Sequence, residues 1–203
     1  MSSYWGPRQW YWYHIMSYNA PEKCNKFQEK IYIDTLVLMT KLIPCDKCFN
    51  HFDKMCHDKK LKFEGKEDMI TWFIDVHNQV NLRLEKPIIS REDADKIYLN
   101  NNNDININHT YLNQYILYHC HRGMYGHSPL NLVVQLISRL IYLYPCQECR
   151  EILLLYLKTH PLNYFGNDKY TFSKWVHNLF SRQDTEKHYQ KNWKKIPIKI
   201  RAF

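Results

Sequence analysis

The stretch LIPCDKCFNHF at residues 42–52 returns about a hundred residues later as LYPCQECREIL at residues 143–153. Each copy has a proline directly ahead of a CxxC pair. The flanks repeat as well: WYWYH (10–14) and TWFIDVHN (71–78) surround the first copy, YILYH (115–119) and TFSKWVHN (171–178) the second. Trp10 pairs with Tyr115, His14 with His119, Pro44-Cys45 with Pro145-Cys146, and Val76-His77-Asn78 with Val176-His177-Asn178. The offset stays between 100 and 105 residues throughout. Order, residue type and spacing agree over four blocks, which is the mark of a tandem duplication. Any fold for this chain must therefore be buildable twice in 203 residues.

Between the copies lies NNNNDININH (100–109), polar, Asn-rich and without a helical stripe, as a linker should be. The expected division is 1–99, a linker at 100–110, and 111–203. Units of that size are marginal alone, so the halves are expected to pack on each other.

Composition narrows the class. With 45% hydrophobic and 15% aromatic residues the chain can bury a core. Five glycines and few alternating β-branched runs favour helices, so an all-α fold is expected. A helix is read over Trp10–Ser17, a second over Glu22–Thr40 with Phe27, Ile31, Leu38 and Leu42 on one stripe, and a third beginning at Pro44, suited to a first helical position. A fourth runs over Lys66–Glu85, and a short one follows Ser90. The second half copies this, with the apolar LNLVVQLISRLIYLY ahead of its CxxC. No apolar run approaches the ~20 residues of a membrane span. The N-terminus has neither the basic start nor the cleavage site of a signal peptide, so no classical secretory route is expected. The net charge of +8 is mostly dispersed, dense only in the tail KNWKKIPIKIR. A solvated basic surface is the expectation, with nucleic-acid binding as its rival.

On the fourth helix, Ile70, Phe73, His77, Asn81 and Leu84 share one face by their spacing, with Asn78 alongside. Buried without partners, such polar groups would each cost roughly 1–3 kcal/mol. They therefore require either other side chains or a planar ligand with ring nitrogens and carbonyls. The seven cysteines are Cys24, Cys45, Cys48, Cys56, Cys120, Cys146 and Cys149. At a helix N-terminus a CxxC pair suits thiol–disulfide exchange, since backbone N–H groups stabilise a thiolate. Zinc held by Cys45, Cys48, Cys146 and Cys149 is the competing chemistry, and inert packing the third.

Over residues 5–98 the chain resembles the Erv/ALR flavin-linked sulfhydryl oxidases. The resemblance rests on Trp5-Gly6, Trp10 and His14 in WxxxH, Pro44 to Cys48, Trp72, and HNxVNxRLxKP from His77 to Pro87. It implies a small helical bundle around FAD catalysing 2 R–SH + O₂ → R–S–S–R + H₂O₂. By similarity His77, Asn78, Val80, Asn81, Arg83, Leu84 and Lys86 line the flavin nucleotide, Gly6, Trp10 and His14 close the opposite side, and Tyr98 stands near the adenine. The resemblance makes Cys48 the sulfur against the isoalloxazine and Cys45 the interchange sulfur that meets substrate thiols. No metal is implied. A thiol-bearing protein or a thioredoxin-like partner would deliver electrons.

Three departures from the family pattern stand out. The additional disulfide that braces the fourth helix in many members has no cysteines here, the tyrosine common before the motif's proline is Ile43, and neither tail carries a shuttle cysteine pair. Cys24, Cys56 and Cys120 could serve in place of that pair, but buried free thiols are the expectation. The second half retains His119, PCQEC and His177-Asn178, but Ser181 replaces the second asparagine and no RLxKP follows. It resembles the degenerate partner domain of fused family members, implying an intrachain pseudo-dimer, to which a further homodimer could be added. Cys146-Cys149 would then be a vestigial disulfide or a relay to Cys45. Compact size and the fused copy resemble members from large DNA viruses, which act in host cytoplasm; other members act in the mitochondrial intermembrane space. The rival from another class is a non-enzymatic zinc-braced helical adaptor using both CxxC pairs.

Overall fold

A computed structural model describes residues 2–59, 61–161 and 169–181. Among them are nine helices and no strand, so the all-α expectation holds. The helices are α1 (Ser2–Tyr18), α2 (Lys26–Lys41), α3 (Asp46–Asp58), α4 (Lys66–Arg83), α5 (Arg91–Tyr98), α6 (His109–Met124), α7 (Leu130–Tyr142), α8 (Gln147–Thr159) and α9 (Lys169–Ser181). None of the described helices is long and apolar enough to cross a membrane. The basic stretch 191–201 lies outside the described residues.

The contacts divide the chain into two compact units, one of residues 9–107, the other of Ser3–Arg8 with the described residues from Asn108 onward. In the first unit the core is aromatic. Trp12, Tyr13, Tyr18, Phe63 and Phe73 are fully buried, together with Ile15, Met16 and Leu36. Gly65 is required there. Its neighbours lie against residues 21–24, with Cys24 N–H donating to the Glu64 carbonyl at 2.7 Å and Lys66 N–H to that of Pro21 at 2.9 Å. A Cβ at Gly65 would stand 2.1 Å from the Glu22 carbonyl oxygen. In the second unit α6 packs on α7 and α9, and α7 on α8. Its core is Leu112, Tyr115, Val133, Leu136, Ile137, Leu140, Ile141, Tyr144 and Phe172.

Four local expectations need correction. Helix α1 begins at Ser2 rather than Trp10 and runs through Pro7. Its first turns are held by tertiary contacts, Arg8 Nε donating to Gln114 Oε1 at 2.6 Å and the Tyr4 ring lying 5.7 Å from that of Tyr118. Helix α2 starts at Lys26 because Asn25 and Gln28 close a capping box, a sequence signal the stripe obscured. Phe27, placed on that stripe, sits in the first turn and is 65% exposed. Pro44 stands ahead of α3, not in it, because Cys45 is the N-cap.

The Asn-rich segment is ordered without being helical. Asn100 Oδ1 accepts from the Asn102 and Asp104 N–H groups, and Leu99 forms an isolated antiparallel bridge with Ile105. This is the Asx-type local bonding by which asparagine competes with helix.

Candidate functional site

In each repeat the sulfur of the first cysteine does the work of a helix cap. Cys45 Sγ accepts from the Cys48 N–H at 3.3 Å and Cys146 Sγ from that of Cys149 at 3.2 Å. The first cysteine is extended, as an N-cap is, and the CxxC spacing brings the N–H of the second over its sulfur in the opening turn. Cys45–Cys48 and Cys146–Cys149 are both closed as disulfides. Both sulfur pairs sit at helix N-termini, where the exposed N–H ends favour a developing thiolate. Cys45 and Cys48 are partly exposed, whereas Cys149 is buried.

Helix α3, which Cys45 caps, meets an aromatic cluster through Phe52. That ring is stacked on Tyr13 at 5.4 Å and meets Trp10 edge-on at 5.9 Å. Trp10 lies flat on His77, centroids 3.9 Å apart and planes 5° from parallel. His77 Nδ1 and His14 Nε2 share a hydrogen bond of 2.9 Å, and His14 stacks on Tyr98 at 4.8 Å. Four predicted residues from α1, α4 and α5 thus meet in one cluster. Burial, and secondly His77, lowers the His14 pKa to about 3; burial, and then Lys86, lowers that of His77 to about 4. Both imidazoles are neutral at physiological pH. Such a cluster presents flat apolar faces with neutral donors and acceptors at the edges.

The asparagines do something the sequence reading did not anticipate. Asn78 clamps the backbone of Ile89 from both sides: Oδ1 accepts its N–H and Nδ2 donates to its carbonyl, each at 2.8 Å. Asn81 Nδ2 donates to the Pro87 carbonyl at 3.0 Å. Neither amide needs a ligand for these bonds; together they fold the segment after α4 back along the helix. Helix α4 ends at Arg83, and Glu85 takes the left-handed conformation (φ 53°). Leu84, expected on the buried face, is the C-cap and 49% exposed. Arg83 and Lys86 are exposed and Val80 half-buried. Gly6 groups with the second unit, and a Cβ there would meet nothing within 4 Å.

A planar, anionic cofactor fits these residues. The Nδ1 of His14 is buried without a partner, on a ring that bonds His77 through its other nitrogen and stacks on Tyr98. The exposed cations Arg83 and Lys86 follow at the end of α4, suited to phosphate. Sequence reasoning missed Phe52, which links α3 to the cluster, and His51, whose Nδ1 is buried without a partner. Burial, and secondly Arg83, lowers the His51 pKa. The spacing of His51 and Phe52 three and four residues after Cys48 was the available signal.

The other cysteines behave as fillers. Cys56 and Cys120 are free and buried, and burial pushes the Cys56 thiol up to about 12 and that of Cys120 higher still. Cys24 is also free but only half-buried, against expectation. In the second unit, His119, the counterpart of His14, is buried with neither ring nitrogen hydrogen-bonded. Asn178 is exposed, and the side chain of His177 lies outside the described residues. Among the described residues one trio could share an ion: His109, Cys146 and Cys149.

Residues 7–99 match the model of the Erv1 / Alr family. The FAD-linked sulfhydryl oxidase of African swine fever virus is 31% identical over 98 residues, covering 47% of this chain and 80% of that protein. The FAD-linked sulfhydryl oxidase ERV1 of Arabidopsis thaliana is 27% identical over 90 residues, 44% of this chain and 47% of the plant protein. Mitochondrial FAD-linked sulfhydryl oxidase ERV1 of Saccharomyces cerevisiae is 26% identical over 82 residues, 40% of this chain and 43% of the yeast protein. The chain thus spans about half the length of the plant and yeast relatives. No solved structure matches significantly. The matched stretch runs from the middle of α1 to the end of α5 and carries both the Cys45–Cys48 disulfide and the Trp10–His77 cluster, and with most of the viral relative spanned at 31% identity, the chain belongs to the Erv1 / Alr family.

Proposed function

We propose that this protein is an FAD-dependent thiol oxidase that forms disulfides in protein substrates, using Cys45–Cys48 as its redox centre. The carrying observation is a partly exposed CxxC disulfide capping a helix that Phe52 ties to the Trp10–His77–His14–Tyr98 cluster. A substrate thiolate attacks Cys45 Sγ and breaks the Cys45–Cys48 bond, leaving Cys48 as a thiolate. A second substrate thiolate then attacks the substrate sulfur of the mixed disulfide. The substrate leaves as a disulfide, and both cysteines hold the electron pair as thiols. FAD, when bound, would accept that pair and pass it to O₂, giving H₂O₂. His77, His14, Trp10 and Tyr98 would hold the ring system and Arg83 and Lys86 the phosphates. Asn78 and Asn81 act on the nucleotide side through the backbone they pin.

The division into an oxidase domain at 1–99, a linker at 100–110 and a degenerate partner domain at 111–203 belongs to the same reading. Its support is the duplication and the loss of the RLxKP residues from the second copy. A thiol-bearing protein or a thioredoxin-like partner would supply electrons. The zinc-braced adaptor needs four free thiolates, and two disulfides oppose it. The deciding experiment is the visible spectrum of the purified protein, flavin counted per chain, with oxygen uptake on adding a dithiol. One FAD per chain and thiol-dependent uptake are expected; a colourless protein without uptake would reject the reading.

A further inference from the structure

The second CxxC differs from the first in one respect that redox exchange does not use. A ring nitrogen of His109 and the sulfurs of Cys146 and Cys149 all lie within 4.8 Å of one another. Among the described residues, no third ligand of this kind accompanies Cys45 and Cys48.

The histidine is held in place by a buried chain of hydrogen bonds. Tyr144 is fully buried and donates its hydroxyl proton to Asn113 Oδ1, itself buried, at 3.0 Å. A hydroxyl has a single proton. The 3.1 Å contact between Tyr144 Oη and His109 Nδ1 is therefore made by the imidazole N–H donating to the tyrosine oxygen. That tautomer leaves the lone pair of His109 on Nε2. The ring also lies nearly parallel to Tyr144, 20° between planes. A hydrogen bond from one imidazole nitrogen to a buried partner fixes the ring and its tautomer, the usual support of a metal-ligating histidine.

We infer that the second unit holds a redox-gated zinc site, formed by His109, Cys146 and Cys149 when the Cys146–Cys149 disulfide is reduced. Two sulfurs sharing a zinc ion at bonds of about 2.3 Å stand roughly 3.8 Å apart in a tetrahedron. A bonded disulfide cannot reach that separation, so oxidation closes the site. A dithiol reductant supplies two electrons and two protons to the disulfide and is itself oxidised to a disulfide. Zinc(II) then displaces both thiol protons and takes two thiolates, the imidazole and one water. The site lies within the second unit and needs neither Cys45 nor Cys48, so it is distinct from a brace built on all four motif cysteines.

The test titrates zinc into the full chain before and after reduction with a non-chelating phosphine, reading bound zinc and competition with a chromogenic chelator. Cobalt(II) replaces zinc in a parallel sample to report thiolate ligation by its charge-transfer band. The expected result is zinc bound by the reduced chain and not by the oxidised one. Tyr144→Phe should weaken binding about tenfold, as loss of an outer-shell partner does. His109→Ala should weaken it further, and Cys146→Ser/Cys149→Ser should abolish it, while Cys45→Ser/Cys48→Ser leaves it intact. Equal zinc binding before and after reduction would overturn the inference. So would undiminished affinity in His109→Ala, or in Cys146→Ser/Cys149→Ser. Circular dichroism of each variant separates loss of a ligand from loss of the fold.

Discussion

The two PCxxC blocks are alike within one helical turn and unlike beyond it. In both, the first cysteine caps a helix and accepts the N–H of the second, at 3.3 Å in one and 3.2 Å in the other. Past that turn the first unit ties the helix of its motif, through Phe52, to paired rings, Trp10 flat on His77 and His77 bonded to His14. In the second unit Tyr115 stands at the position of Trp10, and His119 is buried with no hydrogen bond to either nitrogen. What survived duplication is what a few adjacent residues encode. What diverged depended on several helices agreeing. A disulfide at a helix N-terminus is therefore weak grounds for assigning activity; the cluster around it separates the copies.

The largest predicted effect tests that separation directly. Cys45→Ser or Cys48→Ser should bring thiol-dependent oxygen uptake to the uncatalysed background while flavin content is unchanged, whereas Cys146→Ser should leave turnover of a small dithiol at the level of the parent. Equal loss in both would make the copies functionally equivalent and end the comparison as drawn. Next in size, His77→Ala removes the Trp10 stack and the bond to His14 together. Flavin retained per chain should fall severalfold, read from the absorbance after gel filtration.

The paired asparagines sharpen the contrast on stability. Asn78→Ala strands the N–H and carbonyl of Ile89 and should cost about 1–3 kcal/mol in denaturant unfolding. Asn178→Ala, at an exposed position, should stay within about 0.5 kcal/mol. A milder effect comes from pH. Burial depresses His14 and His119 to about 3 and His77 to about 4, from 6.5. The unfolded chain binds more protons between those values, so stability is complete above about 6.5 and declines as the pH falls toward the depressed values. Thermal melts at stepped pH should show this decline, and His77→Ala should flatten part of it. A melting temperature independent of pH between 7 and 4 would contradict the buried, neutral assignment.

Much of the site was legible from spacing. His14 and Trp10 are one turn apart, and His77 and Asn81 another, so each pair had to share a helix face. The partners of Asn78 and Asn81 were not legible. An amide in the last turn and a half of a helix reads equally as a ligand contact or a clamp, and only the return of residues 87–89 along α4 decides between them. The N-terminal helix was misread for a related reason. Trp5-Gly6-Pro7 carries a helix-breaking signal, yet α1 runs through it because Arg8 and Tyr4 find partners on α6.

By itself the sequence determined the repeat, the all-α class, the two PCxxC pairs at helix starts and the family, because these rest on residues close in the chain or on order along it. Tertiary structure decided which polar groups are satisfied by backbone, that Trp10, His14, His77 and Tyr98 form one stacked cluster, and that His109 joins the second cysteine pair. Each of those depends on groups 6 to 84 residues apart meeting within a few ångströms. Local propensity is blind to such meetings; packing of the helices brings them about.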